Sequence, residues 1–282
     1  MSEAKIKTII TPRKRWFDFR LGELFRYRDL VTLFVRRTFV AQYKQTILGP
    51  AWAIIQPLLT TLMFTVIFGN IAKLPTDGMP PFLFYMCGNV AWGYFAYCLS
   101  QTSNTFISNA HIFDKVYFPR MVMPVSTVIS SIISFAIQFL FFLAFLLYFL
   151  LQHDSVIVPN LHMMLLPLLV LQMALLGLGV GIIVAAVTTK YRDLHMLVAF
   201  GVQLWMYATP VAYSSSMIPA EYVSLYRLNP MTPIIETFRY AFLGSGSFRP
   251  EYYLTGWGVT LLLLLLGLML FSHVEKTFMD TV

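Results

Sequence analysis

Marking Asp, Glu, Lys and Arg along the chain leaves six long stretches that contain none of them. They are Gln45–Ala72, Gly78–Phe113, Met121–His153, Ser155–Thr189, Leu194–Ala220 and Tyr252–Val274. The shortest holds 23 residues, and about 20 apolar residues wound as a helix cross the hydrocarbon core of a bilayer. The pattern predicts six helical spans, near 53–72, 82–103, 122–151, 161–188, 195–213 and 253–273. Where a stretch exceeds one span, the excess must lie outside the membrane core.

Two segments depart from this pattern. Over residues 23–45, a helical wheel puts Leu24, Tyr27, Val31, Phe34 and Val35 on one face and Arg26, Asp29, Arg36, Arg37 and Lys44 on the other. Such a helix is too charged to span and suits the membrane interface. It is either a plain juxtamembrane anchor or a helix with a further role in gating or partner contact. The second segment, Ser214–Glu251, is too long for a turn and too apolar for a solvated loop. Met217, Ile218, Ile234, Ile235, Phe238, Tyr240, Ala241, Phe242 and Leu243 stand among Pro219, Pro230, Pro233, Gly244 and Gly246. Short helices broken at prolines are predicted, dipping into the membrane as a pore-side lid or lying over it as a cap. Irregular backbone at that depth requires burial in protein or a wet cavity.

Composition agrees with the spacing. Of 282 residues 58% are apolar and 12% are charged, about half the charge of a soluble domain. The 25 Phe, 15 Tyr and 5 Trp exceed what one soluble core needs, and disorder is excluded by so much apolar surface. With six spans both termini share a side. Residues 1–44 carry 11 basic and 4 acidic residues and no apolar signal-peptide core. Lys115, Arg120, Lys190, Arg192 and Lys276 fall on the same side, while Lys73, Arg227, Arg239 and Arg249 fall on the other. The positive-inside bias therefore predicts cytoplasmic termini. The net charge of +7 belongs to this asymmetry, so no nucleic-acid partner is expected. Cys87 and Cys98 are too far apart on one helix for a disulfide and read as packing residues.

The search for chemistry is largely negative. No Gly is followed by Lys, so a P-loop is absent. No His-Glu-x-x-His pair exists, and the five histidines are scattered. No catalytic or metal-binding residue and no cofactor are therefore expected in this chain. Gly177, Gly179 and Gly181 lie within a span, where Gly177, Gly181 and Ala185 make a small-residue face for close helix packing. No span core contains Asp, Glu, Lys or Arg, which argues against ion-gradient coupling. The spans do carry neutral polar and aromatic groups: Gln56 and Thr60 below Trp52 in the first, and Tyr85, Asn89, Trp92 and Tyr97 in the second. Thr127, Ser130, Ser131, Ser134 and Gln138 make one face of the third. They serve either interhelical hydrogen bonding or a path for a neutral, hydroxyl-rich substrate such as a glycan.

The run Tyr43-Lys44-Gln45-Thr46-Ile47-Leu48-Gly49-Pro50-Ala51-Trp52, followed by Gln56-Pro57, resembles the approach to the first span in one permease family. That family is the ABC-2 type polysaccharide exporters, which move O-antigen and teichoic-acid chains. Asn109-Ala110-His111 and Lys115-Val116-Tyr117-Phe118-Pro119-Arg120 resemble its segment between spans two and three. Tyr191-Arg192-Asp193-Leu194 resembles its second cytoplasmic loop, Asn229-Pro230-Met231 its outer gate, and Glu275, Phe278 and Asp280 its C-terminal tail. Thr38 and Gln42 stand where the family more often has an acidic and a basic residue.

The resemblance implies an all-α membrane protein with six spans, an amphipathic interface helix before the first and re-entrant outer helices before the last. The chain divides accordingly into a cytoplasmic N-terminal segment with the interface helix, 1–52, and an ABC-2 type transmembrane domain, 53–282. It also implies a homodimer bound to two copies of a separate ATPase subunit, which binds ATP and Mg, in the bacterial plasma membrane. The substrate it implies is a polyprenyl-diphosphate-linked polysaccharide of O-antigen (lipopolysaccharide) or teichoic-acid type.

By the same resemblance Asn109, His111, Asp114, Lys115, Tyr117, Phe118, Pro119, Arg120, Arg192 and Asp193 form the ATPase-coupling segment. Arg36, Arg37, Tyr43, Lys44, Leu48, Gly49 and Trp52 form the interface helix and the start of the first span. Gln56, Tyr85, Asn89, Trp92 and Tyr97 are glycan-path candidates, and Asn229 and Pro230 mark the outer gate. Pro119 is expected to break the helix before the third span and Pro124 to add a second break. Two alternatives remain: an ABC-2 exporter of a drug or lipid, and a membrane glycosyltransferase or polymerase. The latter would draw on Asp114, Asp193, Glu221 and Glu236, although no Asp-x-Asp pair exists.

Overall fold

The structure is a computed structural model that describes residues 25–44, 49–113, 115–116, 118–152, 156–190 and 194–281. The side chains of 43, 110, 111, 189, 190, 195 and 273–281 lie outside this description. All regular structure among the described residues is helical. In chain order it comprises α1 (Arg28–Tyr43), a 3-10 turn (Gly49–Ala51) leading into α2 (Trp52–Phe64), a π-helix (Thr65–Ile71), α3 (Pro81–Phe113) and α4 (Val122–Leu151). A 3-10 turn (Leu161–Leu165) then leads into α5 (Leu166–Lys190), followed by α6 (Leu194–Tyr207), a 3-10 turn (Ser215–Met217), α7 (Val223–Leu228), α8 (Met231–Leu243) and α9 (Pro250–Thr281).

Among the described residues five stretches are long and apolar enough to cross a membrane: Gly49–Ile71, Pro81–Asn109, Val122–Leu151, Leu161–Thr188 and Pro250–Ser272. The fifth expected span is shorter than its forecast of 195–213. Regular helix ends at Tyr207, and 14 helical residues rise about 21 Å, less than a hydrocarbon core. The remaining crossing is irregular backbone in which Thr209, Pro210, Val211 and Ala212 are buried in protein, the condition under which such backbone is tolerated.

The second span, α3, is the hub: 78% of its apolar window is buried, against 17% for the first span and 22% each for the third and last. Sequence accounts for this through small residues on its neighbour. A Cβ on Gly177 would sit 2.6 Å from Cys98 Cβ, and one on Gly181 would sit 2.5 Å from Thr102 Cβ. The small face thus lets α5 meet α3 at backbone distance, and Cys98 packs in that seam. On the other side of α5, a Cβ on Gly267 would lie 2.6 Å from the Gly179 carbonyl oxygen, which brings α9 equally close.

Helix ends follow local chemistry. Pro81 occupies the first position of α3, where an N–H has no helical partner. Pro119 precedes α4 in non-helical backbone, as expected. Pro124 makes no second break: α4 already begins at Val122, so Pro124 sits in its first turn, where the missing N–H costs nothing. The far end of α8 closes on Gly244 at φ 76°, and its last carbonyls are satisfied by another segment. Val158 N–H donates to Leu243 O at 3.2 Å, Asn160 N–H to Ala241 O at 3.0 Å, and Asn160 Nδ2 to Tyr240 O at 2.7 Å.

Candidate functional site

Four of the five glycan-path candidates converge. Gln56 from α2, and Asn89, Trp92 and Tyr97 from α3, line one half-open cavity of about 400 Å³. Trp52 and Gly49 line it at the α1 end, and Gln42 closes that end from α1 itself. The polar face of α4 forms the opposite wall through Ser131, Ser134 and Gln138, and Met206 reaches in from α6. Among the described residues no Asp, Glu, Lys or Arg lines the cavity. Its volume lies in the range of small-molecule sites, about 300–1,000 Å³.

Within it the polar groups are partly committed to holding helices together. Asn89 Nδ2 donates to Thr61 Oγ1 at 3.2 Å, joining the first two spans, and Tyr97 Oη donates to Gln42 Oε1 at 3.3 Å, joining α3 to α1. Ser131 Oγ donates to Val128 O at 2.6 Å and lies 3.1 Å from Cys98 Sγ. The interhelical reading of the third-span stripe holds for Ser131, and Ser131, Ser134 and Gln138 all line the cavity. What remains is aromatic area with uncharged amide and hydroxyl groups, a surface that contacts a polyol without desolvating a fixed charge.

Tyr85, the fifth candidate, is not in the cavity. It is fully buried, packed against Phe84, Phe64 and Phe68 at ring separations of 5.5, 6.2 and 6.4 Å. The chain's approach at Gly69 seals it further, since a Cβ there would lie 3.5 Å from the Tyr85 ring. Four residues before Asn89 on α3, it points into the α2–α3 contact.

Around the α1 end, Phe34 is buried against Phe118 (5.6 Å), while Arg36, Arg37 and Lys44 are exposed. The amphipathic division read from the sequence is therefore realised. The segment after α3 differs from the expectation of a docking surface. Phe118 stacks on Phe113 at 5.6 Å, and Arg120, also buried, places its guanidinium 6.0 Å from the Phe113 ring centre. Both residues face the chain's own core, because this short aromatic run closes the helical bundle. Asn109 marks a kink (φ −118°, ψ 15°), and its Nδ2 donates to Thr105 O at 2.8 Å. Lys115 and Val116 remain exposed. Leu48, Asp114, Tyr117, Arg192 and Asp193, and the side chains of Tyr43 and His111, lie outside the described residues.

At the far end, α8 is a buried element rather than a surface cap: Met231, Ile234, Ile235, Phe238 and Leu243 are inaccessible. Asn229, expected at a gate, is a junction. Its Oδ1 accepts from Trp205 Nε1 at 3.0 Å and from Met231 N–H at 3.1 Å, and its Nδ2 donates to Thr209 Oγ1 at 2.9 Å and Ala208 O at 3.1 Å. Pro230 is buried and starts α8.

Arg239 is the residue the sequence reading passed over. Nearly fully buried, it donates through Nη1 to Pro210 O (2.6 Å) and Tyr213 O (3.2 Å), and through Nη2 to Val211 O (2.5 Å). Its guanidinium lies 3.7 Å from the Phe84 ring centre. These carbonyls belong to the irregular end of the fifth span, so one cation satisfies the backbone that no helix does. A lone cation within the apolar run of α8 was its signal in the sequence.

A family model described as "ABC-2 type transporter" matches residues 29–243. An "O-antigen export system permease protein RfbA" of Klebsiella pneumoniae is 28% identical over 267 residues, covering 93% of this chain and 97% of that protein. A protein of the same description from Myxococcus xanthus is 27% identical over 222 residues, covering 78% of this chain and 82% of its own length. With the family match spanning most of the chain and an all-helical multi-span architecture beneath it, this chain belongs to the ABC-2 type transporter family of membrane proteins.

Proposed function

We propose that the chain is the permease subunit of an ATP-driven exporter, moving a polysaccharide of O-antigen type on a polyprenyl-diphosphate carrier. It works as a homodimer with two copies of a separate ATPase subunit in the bacterial plasma membrane, both termini cytoplasmic. The observation that carries this reading is the uncharged cavity between the first three spans, faced by Trp52, Trp92, Tyr97, Gln56, Gln138 and Ser134. Aromatic faces with neutral hydrogen-bonding groups suit a chain of sugars that must slide rather than stick. The similarity to permeases named for O-antigen export supports the same substrate class. Of the described coupling-segment residues Lys115 is exposed and, with its neighbour Val116, open to meet the ATPase.

The test is co-purification with the ATPase encoded beside it, followed by ATPase activity in lipid nanodiscs and surface polysaccharide in cells. A stable complex is expected. Lys115→Glu is expected to weaken it or uncouple hydrolysis, while Gln138→Leu and Gln56→Leu lower export with the complex intact. A chain that is folded and monodisperse alone, yet binds no ATPase, overturns the reading and turns the search to membrane enzymes of lipid-linked sugars.

A further inference from the structure

We propose that Trp205 is a positioning residue for transport: the Asn229 amide fixes its indole, and the indole sets the Trp92 wall of the cavity. This rests on reading that cavity as the substrate path. The argument begins with α6, which is weakly held. Met196, Leu197, Phe200, Leu204 and Tyr207 along it are exposed. Its far end, by contrast, is tied by directional bonds. Asn229 holds Trp205, Ala208 and Thr209, and Arg239 holds the three carbonyls that follow at 210, 211 and 213.

Trp205 is where this tied end meets the cavity. Its ring lies edge-on to Phe95 at 5.1 Å and to Trp92 at 6.4 Å. Trp92 lines the cavity, and so does Met206, the next residue along. The oxygen that accepts the indole N–H also accepts the first N–H of α8, from Met231. One amide therefore joins the start of α8, the end of α6 and the aromatic wall. When the Asn229–Pro230 segment moves, Trp205 moves with it, and the cavity changes width at Trp92. Packing alone does not require an indole here, since Phe or Leu fills an apolar gap; the directed N–H is what makes the linkage.

The test uses the full chain co-expressed with its ATPase partner. Thr60→Cys, exposed on α2 at the cavity edge, serves as the reporter for maleimide labelling in membranes, and the two native cysteines are buried and silent. Trp205→Phe keeps a ring and removes the donor. It is expected to change the labelling rate at position 60 by about fivefold, the shift in a two-state balance from losing one hydrogen bond. Surface polysaccharide, measured without the reporter cysteine, falls by a similar factor while complex yield and elution stay the same. Asn229→Ala gives at least that change, and the double variant matches Asn229→Ala alone because the bond that Trp205→Phe removes is already lost there. Unchanged labelling and export in Trp205→Phe, or losses that add in the double variant, overturn the proposal. If Asn229→Ala does not accumulate, Trp205→Phe decides. Failure of the pathway reading is distinct: Gln138→Leu and Gln56→Leu would then leave export intact even where Trp205→Phe alters labelling.

Discussion

A single buried cation decides the geometry of the far end. Burying a charge is costly unless its donors are met, and Arg239 meets three carbonyls and an aromatic face. Arg239→Ala leaves those carbonyls unpaired at about 1–3 kcal/mol each. We expect the variant to lose its monodisperse peak at a clearly lower temperature in a detergent heat-challenge assay, with Arg239→Lys intermediate, because an ammonium cannot span the same fork. Gly88 makes room for this arrangement: a Cβ there would lie 2.9 Å from Arg239 Nη2 and 3.0 Å from Val211 O. Gly88→Ala should therefore destabilise in the same assay, by about 1–3 kcal/mol. Nothing in the local sequence of the second span points to Gly88. Its need for a bare Cα comes from a residue some 150 positions away, whereas Asn89, Trp92 and Tyr97 drew notice by residue type and do share one cavity.

Between elements, the close crossings are what hold the hub span in place. The seam of α3 and α5 depends on Gly177, Gly181 and Ala185, and its spacing was readable because small residues four apart share a helix face. Gly181→Ala is expected to sharply reduce the amount of folded protein recovered from membranes, since the new Cβ would collide with Thr102 Cβ at 2.5 Å. Gly258→Ala, with nothing within 4 Å of its Cβ, should leave recovery unchanged. Equal recovery of the two would show that the crossing is looser than the structure has it. Element ends were less legible. The fifth span was read too long because hydropathy does not register where a helix gives way to backbone bonded by a distant arginine. Pro124 was read as a break because the sequence did not show that α4 starts only two residues before it, at Val122.

For the whole molecule, charge placement assigns a side to each loop, and accessibility can check it. Glu221 and Lys115 are both exposed and sit at opposite ends of the bundle. Glu221→Cys should react with a membrane-impermeant maleimide on intact cells, and Lys115→Cys only after permeabilisation; the reverse would invert the topology. The sequence by itself determined the membrane class, the five long apolar helices with the shorter sixth among them, and the amphipathic helix before them. Those properties depend on where charge can be solvated along a chain, which is a local matter. It also showed the chemical character of the groups that line the cavity, because uncharged amides, hydroxyls and aromatic rings are visible as residue types. Only the tertiary structure decided which of those residues share a space. Tyr85 and Asn89 lie one helical turn apart on α3, yet one is sealed between helices and the other faces the cavity. Likewise Phe118 and Arg120 turn inward, and Asn229 joins α6 to α8. Each of these outcomes depends on which distant element packs at that height of the helix, as Phe64 and Phe68 do over Tyr85 but not over Asn89, and no local pattern encodes that.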